Sequence, residues 1–150
     1  MARMVPELNP VDLGLLMSQA EAKLYRGFRD QLDDQTLILH SQCFIRQDSY
    51  QGHVDAEADF IIFDPRGGFL VVEVKGGGIT FDPVHNTWSS IDRHGKTHRI
   101  KNPFEQAKSE KYAVLEQLKV DSEWHRLKLR IPMGHAVFFP DRLRWWNFGI

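Results

Sequence analysis

Residues 57–78 read EADFIIFDPRGGFLVVEVKGGG, and no other stretch limits the fold as tightly. Ala58–Phe63 and Phe69–Lys75 are short apolar runs rich in Ile, Val and Phe, and the DPRGG between them carries the proline and paired glycines of a turn. The sequence predicts two antiparallel strands joined by a five-residue loop. Residues two apart on a strand share a face, so Glu73 and Lys75 project together while Val72 and Val74 point the other way. A strand covered on both sides would continue with aliphatic residues there, because an unpaired charge taken out of water costs roughly several kcal/mol.

In that hairpin Phe63 pairs with Phe69, and Asp59 falls opposite Glu73. Like charges directly opposite are destabilising, yet their Cβ atoms stand only about 4.5–5.5 Å apart, close enough to share one hard cation. A register slip of one residue would turn Asp59 to the other face. Two readings follow. Glu73 and Lys75 form an edge-strand ion pair with Asp59 at the strand entry, or Asp59 and Glu73 hold a divalent metal beside Lys75. The spaced aspartate, the apolar strands and the glycine run Gly76–Gly78, which admits a close neighbour, favour the metal site. Magnesium suits it, since one or two carboxylates suffice when carbonyl oxygen, water and substrate phosphate fill the other positions. A bound cation acidifies water and neutralises phosphoryl charge. Lys75 would hold or deprotonate that water, or counter charge on the phosphate. These are the parts of phosphodiester hydrolysis.

Elsewhere, MSQAEAKLYRGFRDQL predicts a helix from about Ser18, with Leu24, Phe28 and Leu32 at helical spacing. Residues 36–45 (TLILHSQCFI) read as a strand, and QDSYQGHVDAE (47–57) as a loop. Three short strands around Ile79, Trp88 and His98 are separated by DPVHN and DRHGK. A second helix spans Pro103–Lys119, with Asn102 as its cap and Phe104 as a core anchor, and GHAVFFPD forms a last buried strand. Helix, three strands, meander, helix, strand is the order of a mixed sheet with flanking helices.

At 150 residues, 42% hydrophobic and 26% charged, the chain suits one globular domain and no disordered class. It has no apolar run near the ~20 residues that span a bilayer and no signal-peptide core in MARMVPELNP, so a cytoplasmic protein without a membrane segment is expected. Cys43, the sole cysteine, rules out an internal disulfide and reads as a core thiol. Residues 1–75 hold 7 Lys and Arg against 12 Asp and Glu, whereas residues 76–150 hold 12 against 8. An acidic half beside a basic half suits a metal site facing an anionic ligand; chance is the plainer explanation.

Glu21 in the first helix, Asp59 opening one strand and E-V-K at Glu73–Lys75 closing the next resemble the PD-(D/E)xK nuclease superfamily. Within it, ADFIIFDPRGGFLVVEVKGGGI, the later Trp88, KNPFEQAK and GHAVFFP follow in order the pattern of the nuclease-related domain, NERD, over about residues 14–140. The resemblance implies an α/β restriction-endonuclease-like αβββαβ core and metal-dependent DNA cleavage. Asp59, Glu73 and the Val74 carbonyl would be metal ligands for Mg2+, or Mn2+. Lys75 would be catalytic, Glu21 would complete the acidic cluster, and Gln106 would stand at the site from the second helix. Such domains are often joined to a helicase or other module, so the resemblance admits a chain that is a fragment of a longer protein; a homodimer stays open. Ala58 replaces the motif's proline, and Tyr112 follows Gln106 by six residues where the RecB-like subgroup spaces glutamine and tyrosine by four.

Glu21 also fits a capping box with Ser18, and Gln106 fits a solvated helix position. Lys96, Arg99, Lys101, Lys108 and Lys111 suit phosphate contacts that carry no sequence information, or a solvated surface. His94 and His98 lie in a glycine-containing hairpin, a poor setting for zinc. Trp145 and Trp146 beside Arg142 and Arg144 suit base stacking or a covered core edge. The main rivals to a nuclease are a nucleic-acid-binding or interaction module that keeps the fold without turnover, and a metal-dependent phosphoesterase for small substrates.

Overall fold

The structure is a computed structural model that describes residues 1–15, 18–48, 52–128 and 130–141, with backbone alone for 42–48 and 52–55. Its central sheet has the strand order β1 (Arg3–Val5), β2 (Leu37–Asp48), β3 (Gly52–Asp64), β4 (Gly68–Val74) and β8 (Met133–Phe138). β2–β3 and β3–β4 are antiparallel, while β1 and β8 run parallel to β2 and β4. Parallel neighbours need a crossover connection. The one from β4 to β8 contains a separate antiparallel sheet, β5 (Gly78–Asp82), β6 (Thr87–Ile91) and β7 (Thr97–Ile100), followed by helix α3 (Pro103–Lys119) and the short α4 (Ser122–Arg126). Helices α1 (Pro10–Leu15) and α2 (Gln19–Gln31) lie between β1 and β2.

Alternation along β4 divides the core in two. Val72 and Val74 pack with Phe60, Ile38 and the α2 residues Ala20 and Tyr25. Phe69 and Val71 pack with Ala58, Ile61 and Val114 of α3. The expected orientation of Val72 and Val74 away from Glu73 and Lys75 is thus observed. Tyr25 is fully buried, and its hydroxyl accepts from Leu8 N (2.8 Å) and donates to Pro6 O (2.9 Å), tying the chain's start to α2. The result is a mixed sheet flanked by helices, consistent with a restriction-endonuclease-like α/β fold.

Several expectations need correction. Residues 47–48 and 52–57 are strand and not loop: β2 and β3 pair as far as Asp48 with Gly52, and the rest of that stretch, 49–51, lies outside the described residues. Backbone pairing carries those residues although their side chains show no period. The Phe63–Phe69 pairing is as expected, but Asp64 also pairs with Gly68, which leaves three residues in the loop. β1, α1 and α4 went unforeseen, being too short for a periodic signal. Phe104 is no core anchor. It is 44% exposed and packs against the rings of Trp88 and Phe139, at centroid distances of 5.6 and 6.3 Å. The side chain of Cys43 and residues Arg142, Arg144, Trp145 and Trp146 lie outside what is described.

Candidate active site

The two ladders of β3 both break at Asp59. On one side pairing runs through Phe60–Val72, and the next position in register would join Asp59 to Glu73. On the other side His40 pairs with Phe60 and Gln42 with Ala58, but Ser41 and Asp59 form no pair, and Ser41 has φ of 52°. A left-handed backbone at a residue with a side chain is uncommon and marks local strain. The face alternation breaks here as well: Ala58 packs on the α3 side and Phe60, two residues on, packs on the α2 side. Such a kink re-aims one side chain. Asp59 Oδ2 accepts from Val74 N at 2.7 Å, which draws the aspartate to the end of β4.

Glu73 is 2% exposed. Its Oε1 pairs with Lys75 Nζ at 2.5 Å, and its Oε2 has no hydrogen-bond partner. Lys75 in turn is only partly exposed, with its backbone N–H donating to Phe138 O on β8 (2.9 Å). The charged pair at the end of a core strand is therefore half compensated: Lys75 satisfies one carboxylate oxygen and leaves the other buried and bare.

Gly76 lets α2 come close. A Cβ there would stand 2.9 Å from Ala20 Cβ, and the following Gly77 has φ of 78° and donates its N–H to Asp141 Oδ2 at 2.9 Å. Asp141 also pairs with Lys23 of α2. The glycine run thus seats the start of α2, and with it Glu21, beside the strand end. Ser18 caps α2 by accepting from Glu21 N at 3.2 Å, so half of the capping box exists. The Glu21 carboxylate instead faces His40, with Oε2 3.2 Å from Nε2, and its charge reaches both Asp59 and Glu73.

From the opposite face comes a residue that the sequence did not single out. Glu110 of α3 is 5% exposed, its Oε1 accepts from Gln106 Nε2 at 3.2 Å, and its Oε2 is unpartnered. It stands within hydrogen-bonding reach of Glu73. Its place four residues after Gln106 on the same helix face was the available signal. His40 was missed because it sits in an otherwise apolar strand.

The electrostatics follow from this crowding. Burial and then the Glu73 charge push Asp59 up to about 7, against the opposing Val74 N–H. Burial, with Glu73 next, pushes Glu110 up to about 8. Burial also raises Glu73, with Lys75 opposing. Buried carboxyls shifted in this way mark candidate functional sites.

A cleft of about 430 Å³ between Ala56 and Glu57 of β3 and the first turns of α3 is lined by Lys101, Gln106 and Glu110. A second hollow of about 450 Å³ is lined by Trp88, Arg99 and the same Lys101. Arg99 and Lys101 therefore flank the approach. Lys108 and Lys111 sit elsewhere on α3, where their charges reach His135 of β8, and Lys96 lies by the turn capped by Asp92. His94 and His98 serve that turn: Asp92 accepts from His94 N and contacts His98 Nε2.

The model of the nuclease-related domain, NERD, matches residues 18–140, most of the chain. The chain belongs to this family. No curated protein and no solved structure matches it. Within the NERD domain, residues 18–140 run from the cap of α2 to the turn after β8, so every site residue described above except Asp141 lies inside the match. β1 and α1 lie before it.

The residues present fit a divalent cation. Glu73 offers a bare buried oxygen, and the Asp59 and Glu110 carboxyls crowd around it, each held up by burial and by the Glu73 charge. Among the described residues no three His, Cys, Asp or Glu side chains stand ready around one point. Two carboxylates are enough for magnesium when carbonyl, water and phosphate complete its shell.

Proposed function

We propose that this NERD domain hydrolyses phosphodiester bonds of DNA with Mg2+, or Mn2+ in its place, held by Asp59, Glu73 and the Val74 carbonyl. The observation that carries the reading is the buried Glu73, bound to Lys75 through one oxygen and bare at the other. When bound, the ion supplies neutralisation of phosphoryl charge and a more acidic water. Asp59 and Glu73 are fixed for this by the strands, one through the Val74 N–H and the other through Lys75. Lys75 keeps a cationic donor at the rim of the carboxylates, where it orients the attacking water or offsets charge on the phosphate. Glu21 adds negative charge from α2, with His40 holding its carboxylate. Gln106 acts through Glu110.

Arg99 and Lys101 would contact the DNA backbone along the two hollows, and Lys96, Lys108 and Lys111 would contribute at longer range. No helix among the described residues is long and apolar enough to cross a membrane.

The test is incubation of the purified chain with supercoiled and linear DNA in Mg2+, Mn2+ or EDTA, beside Lys75→Ala. Metal-dependent cutting by the wild type alone is expected. Cutting that survives Lys75→Ala would remove Lys75 from the chemistry, and a folded, metal-binding protein that cuts nothing would be a binding module.

A further inference from the structure

The two hollows that meet at Lys101 differ in charge. The cleft that reaches Gln106 is lined by Glu57, Glu105 and Glu110 against Lys101 alone, whereas no Asp or Glu lines the second hollow, which has both Arg99 and Lys101. Among the described residues neither of these cations has an ion-pair partner, while Lys23, Lys108 and Lys119 each face a carboxylate. Two uncompensated cations at a hollow of about 450 Å³ make a seat for an anion.

The rest of that hollow is apolar. The β6–β7 register sets Trp88 opposite Ile100, and both line it. Trp88 is wedged among the rings of Phe81, Phe104 and Phe139, at centroid distances of 4.7, 5.6 and 6.3 Å. Phe104 carries this aromatic surface outward into solvent, with its backbone N–H fixed by Asn102 Oδ1 at 2.9 Å. One exposed phenyl ring is ordinary. A ring braced by two others and set beside two uncompensated cations has the make-up of a surface for single strands, on which bases stack while cations track phosphates. A duplex could give these cations its phosphates, but its bases stay stacked on one another.

We propose that the hollow formed by β6, β7 and the start of α3 is a subsite for an unpaired nucleotide of single-stranded DNA, with Arg99 and Lys101 on its phosphates and its base against Trp88, Ile100 and the Phe104 ring. Lys101 and Asn102 line both hollows, so a strand seated here leads into the cleft that holds Gln106 and Glu110. This deepens the reading of DNA cleavage given above, on which it rests, by naming the form of the substrate: DNA with an unpaired segment next to the bond that is cut.

The experiment is fluorescence anisotropy of a labelled deoxyoligonucleotide titrated with the full chain in EDTA, where neither metal nor turnover enters. Three probes of equal length are compared: a single strand, a blunt duplex, and a strand whose bases are all replaced by abasic sites. The single strand is expected to bind about 5- to 150-fold more tightly than the abasic strand, and more tightly than the duplex. Phe104→Leu, which still covers Trp88 but has no ring face, should lose most of that advantage and leave duplex binding unchanged, and Phe104→Tyr should restore it. Lys101→Gln and Arg99→Gln should each reduce the slope of log affinity against log salt by about 0.7 for the single strand. Lys119→Gln, at the far end of α3, should bind as wild type.

Equal affinity for the intact and abasic strands would overturn the proposal, since phosphates alone would then account for binding. Tighter binding of the duplex would overturn it as well, as would a folded Phe104→Leu that binds the single strand like wild type. Failure to bind any of the three probes would remove the DNA reading together with the subsite, whereas duplex binding that depends on Lys101 but not Phe104 would remove the subsite and leave that reading standing.

Discussion

The two faces of one strand end make the most instructive comparison in the molecule. On the α2 side, Val72 and Val74 join Phe60 and Ile38 in a dry cluster. On the α3 side, the intervening Glu73 is as deeply buried as its neighbours, but it meets Lys75 and Glu110 instead of aliphatic carbon. A period of two is enough to place stability and chemistry back to back. The difference teaches that burial alone does not identify core. What distinguishes the second face is polar atoms left without partners, which a structural ion pair would not retain at such cost.

If the faces are divided in this way, substitutions on each should move different observables. Lys75→Ala is expected to lower DNA cleavage by about 10²- to 10⁴-fold, with circular dichroism close to wild type and a urea midpoint that is lowered at pH 8, where the buried Glu73 loses its partner, and recovers toward wild type at pH 5. Phe60→Ala should do the reverse, costing about 3–5 kcal/mol in urea unfolding while the folded fraction still cuts. A Lys75 variant whose lost activity tracked lost structure would collapse the distinction.

The pH dependence sharpens it. Asp59, Glu73 and Glu110 all titrate higher in the folded chain than ordinary carboxyls do. Between about pH 4 and 8 the folded state therefore holds more protons than the unfolded one, and stability falls as pH rises through that window. In EDTA the unfolding temperature should drop from pH 5 to pH 8, and Glu73→Gln should flatten the slope. A slope of opposite sign would mean that the carboxyls are already compensated. The smallest effect belongs to the helix that delivers Glu21: Ser18→Ala removes the cap of α2 and should cost about 1 kcal/mol.

Much of this was legible from residue order. The DPRGG turn and the alternation on either side of it set the β3–β4 register, which holds as far as Phe60 with Val72 and ends one step short of the expected Asp59–Glu73 pair. The E-V-K spacing predicted which face Lys75 shares, and Asn102 followed by Pro103 marked the start of α3. What stayed hidden has physical reasons. The break at Asp59 depends on Ser41 adopting a left-handed backbone, which a serine seldom does and which no local pattern encodes. Glu110 looks like a surface residue in a polar helix until α3 is docked on the sheet, because burial there is a tertiary property. His40 meets Glu21 only once α2 is laid across β2. Asp141 anchors Gly77 and Lys23 across long separations in the chain.

The central claim is that the α3-side carboxylates form an acidic site completed by a divalent cation. The most direct measurement is the thermal unfolding temperature at pH 8 in Mg2+ against EDTA. At a concentration 100 times the dissociation constant, binding to the folded state alone adds about 2.7 kcal/mol, a rise of about 5–10 °C for a chain of this size. That rise should disappear in Asp59→Ala and Glu73→Ala. Equal unfolding temperatures in Mg2+ and EDTA for the wild type would contradict the claim.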